Sequence, residues 1–62
     1  MSSIQDFVIY RFIKERNGKA GIREIIKALG KNDEDKRLII EKIRTMERFG
    51  MLTIEGDTVT IK

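Results

Sequence analysis

The side chains of this 62-residue chain that could do chemistry are lysines, arginines and carboxylates. Cysteine and histidine are both absent, which excludes disulfides, thiolate chemistry, histidine-bound zinc and imidazole acid–base catalysis. The hydroxyl side chains have no base at a spacing that would activate them as nucleophiles. We therefore expect a protein that is not an enzyme and that uses no cofactor and no metal ion.

The basic side chains are unevenly distributed along the chain. Residues 1–31 hold seven Lys or Arg and three acids, a charge of +4, whereas residues 32–62 hold six and seven, a charge of −1. A basic half is typical of proteins that contact a polyanion, and nucleic acid is a common one. Composition alone is therefore consistent with a nucleic-acid partner but does not identify one.

Two short segments could be mistaken for ligand sites. The acidic run Asp33, Glu34 and Asp35 could hold a metal ion, but carboxylates in the first turn of a helix are usually caps and dipole partners. The segment Gly18–Gly21 lacks the preceding strand and the Gly-Lys-Ser/Thr ending of a phosphate-binding loop. We predict a turn there.

Apolar residues that recur every three or four positions predict three helices, over about 3–16, 22–29 and 33–49. Their apolar faces are expected to pack together as one core. The predicted core consists of Ile9, Phe12, Ile13, Ile22, Ile26, Leu29, Ile39, Ile43 and Met46.

Polar and glycine residues indicate where these helices begin and end. Ser3 is the expected N-cap of the first helix, and Asn32 or Asp33 is the expected N-cap of the third. Gly30 is expected to end the second helix in the left-handed conformation, and Gly50 to end the third.

The last twelve residues change to a period of two and contain β-branched residues around Gly56-Asp57. This pattern predicts a β-hairpin over about 51–61. A two-residue turn places Leu52 opposite Ile61 and Ile54 opposite Val59, all on the inner face. We expect a small α+β fold that forms one domain over residues 1–62.

No apolar segment approaches the roughly 20 residues that span a bilayer, and the sequence MSSIQDF lacks the layout of a signal peptide. We expect a cytoplasmic protein without membrane insertion. Eleven isoleucines, many charged residues and no proline or cysteine make a composition typical of thermophiles.

Three segments resemble the winged helix-turn-helix domain of archaeal and bacterial regulators. IYRFIKERNGKAGIREIIKALG is similar to its first two helices, IIEKIRTMERFGML to the end of its recognition helix, and TIEGDTVTI to its wing. The resemblance covers nearly the whole chain and implies three helices followed by a two-stranded hairpin wing. It also implies a transcription regulator or architectural factor whose third helix contacts duplex DNA.

The resemblance implies two sets of DNA contacts. A recognition helix enters the major groove, where Arg can form two hydrogen bonds with guanine. Residues around the second helix grip the DNA backbone, where charge matters more than geometry. The implied base-facing residues are Lys36, Arg37, Ile40, Glu41 and Arg44, and the implied phosphate contacts are Lys19, Arg23 and Lys27.

The start of the second helix departs from DNA-binding relatives, which commonly have Ser or Thr there. This chain has Ala20-Gly21 instead. The glycine is expected to leave backbone amides exposed to a phosphate, so the loss of the hydroxyl is partial.

Acidic residues on the same surfaces favour a second interpretation. Carboxylates lie at the start of the third helix and, as Glu55 and Asp57, at the hairpin tip, where they would oppose phosphate. Glu41 is spaced to pair with neighbouring arginines, as on any solvated helix. The alternative function is a winged-helix protein–protein interaction module of a replication, transcription or membrane-remodelling assembly.

The first helix has more apolar residues than one core face requires. If Ile9 and Ile13 point inward, Phe7 and Tyr10 lie at least about 90° round the helix from the centre of that face. One explanation is that one aromatic folds back over the hairpin or the N-terminus. The other is a homodimer through the first helices, which would bury both aromatics and bring two recognition helices to successive major grooves.

Overall fold

Three helices and three short strands make up the computed structural model, which describes residues 4–62. The helices are α1 (Asp6–Lys14), α2 (Ile22–Leu29) and α3 (Asp33–Arg48), and the strands are β1 (Lys19–Gly21), β2 (Leu52–Glu55) and β3 (Thr58–Ile61). The strands form one antiparallel sheet in the order β1-β3-β2. The small α+β class is therefore as predicted.

The sheet has one strand more than the predicted hairpin. β1 occupies the segment for which a turn was predicted, and it pairs Ala20 with Val59 and Lys19 with Thr60. Three residues are too few to show a period of two, and Ala and Gly are poor strand formers. The strand forms because it pairs with the edge of β3 that β2 does not occupy.

The hairpin itself has the predicted register. Leu52 pairs with Ile61 and Ile54 pairs with Val59, with Gly56 at a φ of +61° in the turn. Leu52 and Val59 are fully buried, whereas the two isoleucines are half-buried. The alternation of apolar residues was sufficient to predict which face of the hairpin packs inward.

The ends of α1 differ from the prediction. Ser3, the expected N-cap, lies outside the described residues, and Gln5 is the N-cap without a capping side-chain hydrogen bond. The helix ends at Lys14, and Asn17 and Gly18 follow it with φ of +65° and +81°. The predicted boundaries of 3–16 were too wide, because the stop signal Asn17-Gly18 lies beyond the helix and the polar residues 15–17 before it form a turn.

The start of α3 is capped by reciprocal hydrogen bonds. The Asn32 side chain accepts from the amide of Asp35 at 2.9 Å, and the Asp35 carboxylate accepts from the amide of Lys31 at 2.9 Å. Asp35 is 4% exposed. Asn32 is therefore the N-cap, and one member of the acidic run is a buried capping residue.

Gly30 ends α2, but the expected left-handed conformation is wrong. Its φ is −91° and its ψ is 143°, which any residue can adopt. An added Cβ would lie 2.8 Å from the carbonyl oxygen of Ile26 and 3.4 Å from the Cδ1 of Ile39. Glycine is favoured here because the backbone at residue 30 passes too close to the Ile26 carbonyl, in the last turn of α2, to leave room for a side chain.

The core lies between the three helices and the inner face of the sheet. Four members of the predicted core and two residues of the inner hairpin face are only partly buried against it: Phe12, Ile22, Ile26, Leu29, Ile54 and Ile61. Ala20 and Ile25 are buried although they were not in the predicted set. The fully packed residues are Ile9, Ile13, Ala20, Ile25, Ile39, Ile43, Met46, Leu52 and Val59.

Neither Phe7 nor Tyr10 of α1 belongs to the buried core, but only one of the two is strongly exposed. Phe7 is 64% exposed, whereas Tyr10 is half-buried and packs against the core. The half-burial of Tyr10 leaves Phe7 as the strongly exposed member of the pair. No helix within residues 4–62 is long and apolar enough to cross a membrane.

Candidate functional site

The face of α3 that points away from the core contains a groove of about 430 Å³. Buried residues such as Ile39, Ile43 and Met46 recur at helical spacing and hold the opposite face against the rest of the protein. Consequently, the outward face is fixed in orientation by the core. We call it the α3 outer face, and its residues are Arg37, Ile40, Glu41, Arg44, Thr45 and Arg48.

Four of the five predicted base-facing residues line this groove. Arg37, Ile40, Glu41 and Arg44 are brought together, and Lys36 is exposed but is not among the lining residues. Consecutive helix positions differ by about 100°, so Lys36 points to a different side from Arg37. Lys36 is thus the one member of the set that the groove does not include.

Two residues of the α3 outer face were not in the predicted contact set. Arg48 follows Arg44 by one turn, and Thr45 donates its hydroxyl hydrogen to the carbonyl of Glu41 at 2.9 Å. The signal for Arg48 was present in the sequence, because residues at i and i+4 share a helix face. A contact set that ended at Arg44 omitted the final turn of α3.

The charges of the α3 outer face remain exposed to solvent. Arg37, Glu41, Arg44 and Arg48 are all exposed, and among residues 4–62 Glu41 forms no ion pair with these arginines. The intrahelical pairing that the spacing favours is therefore not formed. Three guanidinium groups with a single carboxylate give this face a net charge of +2.

Two other cations have structural partners. Arg16 pairs with Glu24 and lies over the ring of Phe12, 4.6 Å from its centroid. Lys42 pairs with Asp6 at 3.2 Å and so ties α3 to α1. These contacts explain why neither cation belongs to an open basic surface.

The three predicted phosphate contacts are exposed but do not line the α3 groove. Lys19 lies in β1, and Arg23 and Lys27 lie one turn apart on α2. Of these three residues, Arg23 contacts the hairpin turn, since its Nε lies 3.7 Å from Oδ2 of Asp57. Asp57 in turn lines a second cavity together with Arg44.

Two backbone amides at the start of α2 already have hydrogen-bond partners. The amide of Ile22 donates to the carbonyl oxygen of Asp57 at 2.7 Å, and the amide of Gly21 donates to Glu24 at 3.3 Å. The amides of Gly21 and Ile22 are therefore engaged within the protein, contrary to the expectation that this turn leaves them exposed to a phosphate.

Acidic side chains flank the α3 outer face. Asp33 and Glu34 are exposed in the first turn of α3, and Glu55 and Asp57 are exposed on the hairpin. Within residues 4–62, no three acidic side chains are grouped so that they could hold a metal ion. The positive surface is therefore confined to the middle and last turns of α3.

No protein-family model matches the chain, and neither the curated proteins nor the solved structures gave a match.

Proposed function

We propose that the chain is a winged-helix domain that binds duplex DNA through the α3 outer face. The observation that carries the proposal is the groove in which Arg37, Arg44 and Arg48 are exposed together on the face opposite the core. Guanidinium groups bind phosphate and guanine edges with paired hydrogen bonds. The order of three helices followed by a hairpin supports the winged-helix assignment.

Dimensions also favour the insertion of α3 into a major groove. A helix of 16 residues is about 24 Å long, and a major groove about 12 Å wide admits one α-helix. Arg37, Arg44 and Arg48 share one face of α3, so Arg37 and Arg44 can reach base edges while Arg48, in the last turn, contacts a phosphate. Arg23 and Lys27 add backbone contacts from α2 in this arrangement.

The proposal includes a homodimer in which Phe7 contacts its equivalent in a second copy. Phe7 is 64% exposed, and a self-complementary contact across a twofold axis would cover it in both copies. Two α3 helices would then contact successive major grooves, which would compensate for the modest charge of one copy.

A salt-dependent titration of a fluorescent duplex tests the DNA proposal. We expect binding at about 50 mM salt with a log–log salt slope that flattens by about 0.9 for each phosphate contact removed. Arg23→Ala or Lys27→Ala should flatten the slope without changing sequence preference. Arg37→Ala or Arg44→Ala should instead reduce discrimination between sequences.

Lys14→Ala is the matched control for these variants. Lys14 is an exposed cation at the end of α1, away from the α3 outer face, and its loss changes the net charge equally. Lys14→Ala should leave the salt slope and the sequence preference close to those of the parent. A parent that binds no duplex at about 50 mM salt would refute the proposal.

The second candidate function is a protein-interaction module, and two exposed apolar side chains favour it. Phe49 is 74% exposed and Met51 is 41% exposed, on either side of Gly50 at the end of α3. Exposed aromatic side chains commonly serve as anchors in protein interfaces. Failure of the duplex titration would make this function the better explanation of the α3 surface.

A further inference from the structure

The turn of the β2–β3 hairpin is fastened to the start of α2. The amide of Ile22 donates to the carbonyl of Asp57 at 2.7 Å, and a Cβ on Gly21 would lie 3.8 Å from the same oxygen. The backbone of Asp57 is thus fixed against α2. Its carboxylate is held beside Arg23, where Oδ2 lies 3.7 Å from Nε.

This ion pair is open to exchange with another anion. The side chain of Arg23 is 91% exposed and that of Asp57 is 69% exposed. The separation of 3.7 Å exceeds the usual 2.7–2.9 Å of a charge-assisted hydrogen bond by roughly 1 Å. By contrast, Arg16 and Glu24 approach to 2.5 Å and are about half as exposed as Arg23. Solvent therefore reaches the guanidinium of Arg23 on most sides.

Asp57 also lies beside α3. Asp57 lines a cavity of about 280 Å³ between α2, α3 and the hairpin, and Arg44 is another of its lining residues. A phosphate that approached Arg23 or this side of Arg44 would meet the negative charge of Asp57. The hairpin turn therefore places a carboxylate between the two basic elements of the proposed DNA surface.

We propose that Asp57 is an internal counter-ion that competes with phosphate for Arg23 and thereby limits the affinity of the domain for polyanions. The inference rests on the proposed function, because the exchange matters only if Arg23 meets a DNA phosphate. Binding of the duplex breaks the Arg23–Asp57 pair and replaces the carboxylate with a phosphate, which can accept two hydrogen bonds from a guanidinium.

Asp57→Asn tests the exchange because asparagine keeps the backbone carbonyl that accepts from Ile22. Removal of the competing charge should tighten binding of a short duplex roughly 2- to 5-fold at about 50 mM salt. The gain should shrink towards none at about 0.3 M salt, since the competing interaction is exposed.

Two comparisons separate competition for Arg23 from a general gain of positive charge. Glu55→Gln changes the net charge equally on the same hairpin, and Glu55 is exposed and forms no ion pair within residues 4–62. Glu55→Gln should give less than half of the gain in duplex affinity that Asp57→Asn gives. In an Arg23→Ala background, Asp57→Asn should give no more than Glu55→Gln does.

The outcomes distinguish this inference from the proposal on which it rests. A parent that binds no duplex overturns both. A parent that binds, with Asp57→Asn no tighter than Glu55→Gln, overturns the exchange alone and leaves DNA binding intact. A gain from Asp57→Asn that persists in the Arg23→Ala background also overturns it, because the carboxylate would then act on some other cation.

Discussion

Replacement of Gly30 by alanine tests how tightly the residue that ends α2 packs against the last turn of α2 and against α3. The added Cβ would lie 2.8 Å from the carbonyl oxygen of Ile26, closer than real Cβ contacts come. It would also lie 3.4 Å from Cδ1 of Ile39 and 3.6 Å from Cβ of Asp35, both on α3. Because the shortest of these contacts is to α2 itself, the last turn of α2 would have to distort, and its packing against α3 would change with it.

The expected loss of stability follows from these contacts. Overpacking of a filled site costs about 1–3 kcal/mol, and the backbone carbonyl is the least able of the neighbours to yield. Alanine recovers about 0.4–1 kcal/mol because it restricts the unfolded chain, and Gly30 needs no left-handed conformation. A net loss of about 1–2 kcal/mol should lower the melting temperature by roughly 5–15 °C.

Urea denaturation followed by circular dichroism measures this loss, with Gly21→Ala as the matched control. Gly21 also has a negative φ, and its added Cβ would meet nothing closer than 3.8 Å. That variant should remain within about 1 kcal/mol of the parent. Equal stability of Gly30→Ala and the parent would refute the close-approach explanation.

Two further predictions concern the core and the oligomeric state. Ile43→Ala should lower the free energy of unfolding by about 2–5 kcal/mol because Ile43 is 1% exposed. Leu29→Ala should lower it by about half as much because Leu29 is partly exposed. Equal melting temperatures for the two variants would contradict this ranking. Sedimentation equilibrium should show a parent dimer that Phe7→Asp dissociates, and a parent that stays monomeric at high micromolar concentration would rule the dimer out.

The elements with a clear apolar period were predictable from the sequence. The boundaries of α2 and the register of the hairpin follow from side chains that alternate every 3.6 or two positions. β1 carries no such pattern, and its pairing with β3 depends on residues about 40 positions away. Local sequence also could not show that Gly30 is needed for close packing rather than for a left-handed turn.

Helical spacing predicted most of the candidate site, but not the contacts between residues far apart in sequence. Arg37, Ile40, Glu41 and Arg44 share a face because of helical spacing, and spacing alone places them together. The contact of Asp57 with Ile22 and Arg23 joins positions more than thirty residues apart. No local pattern encodes that contact, so the sequence could not show that the amide of Ile22 is occupied.

The pairing of β1 with β3 has a consequence for the order of folding. β2 and β3 are joined by two residues, and such a hairpin can form in about 1–10 μs. β1 can join only when a loop of about 40 residues, which contains α2 and α3, has closed. We therefore expect the rate-limiting barrier to lie at this closure, with β1 docking as the last element of the sheet.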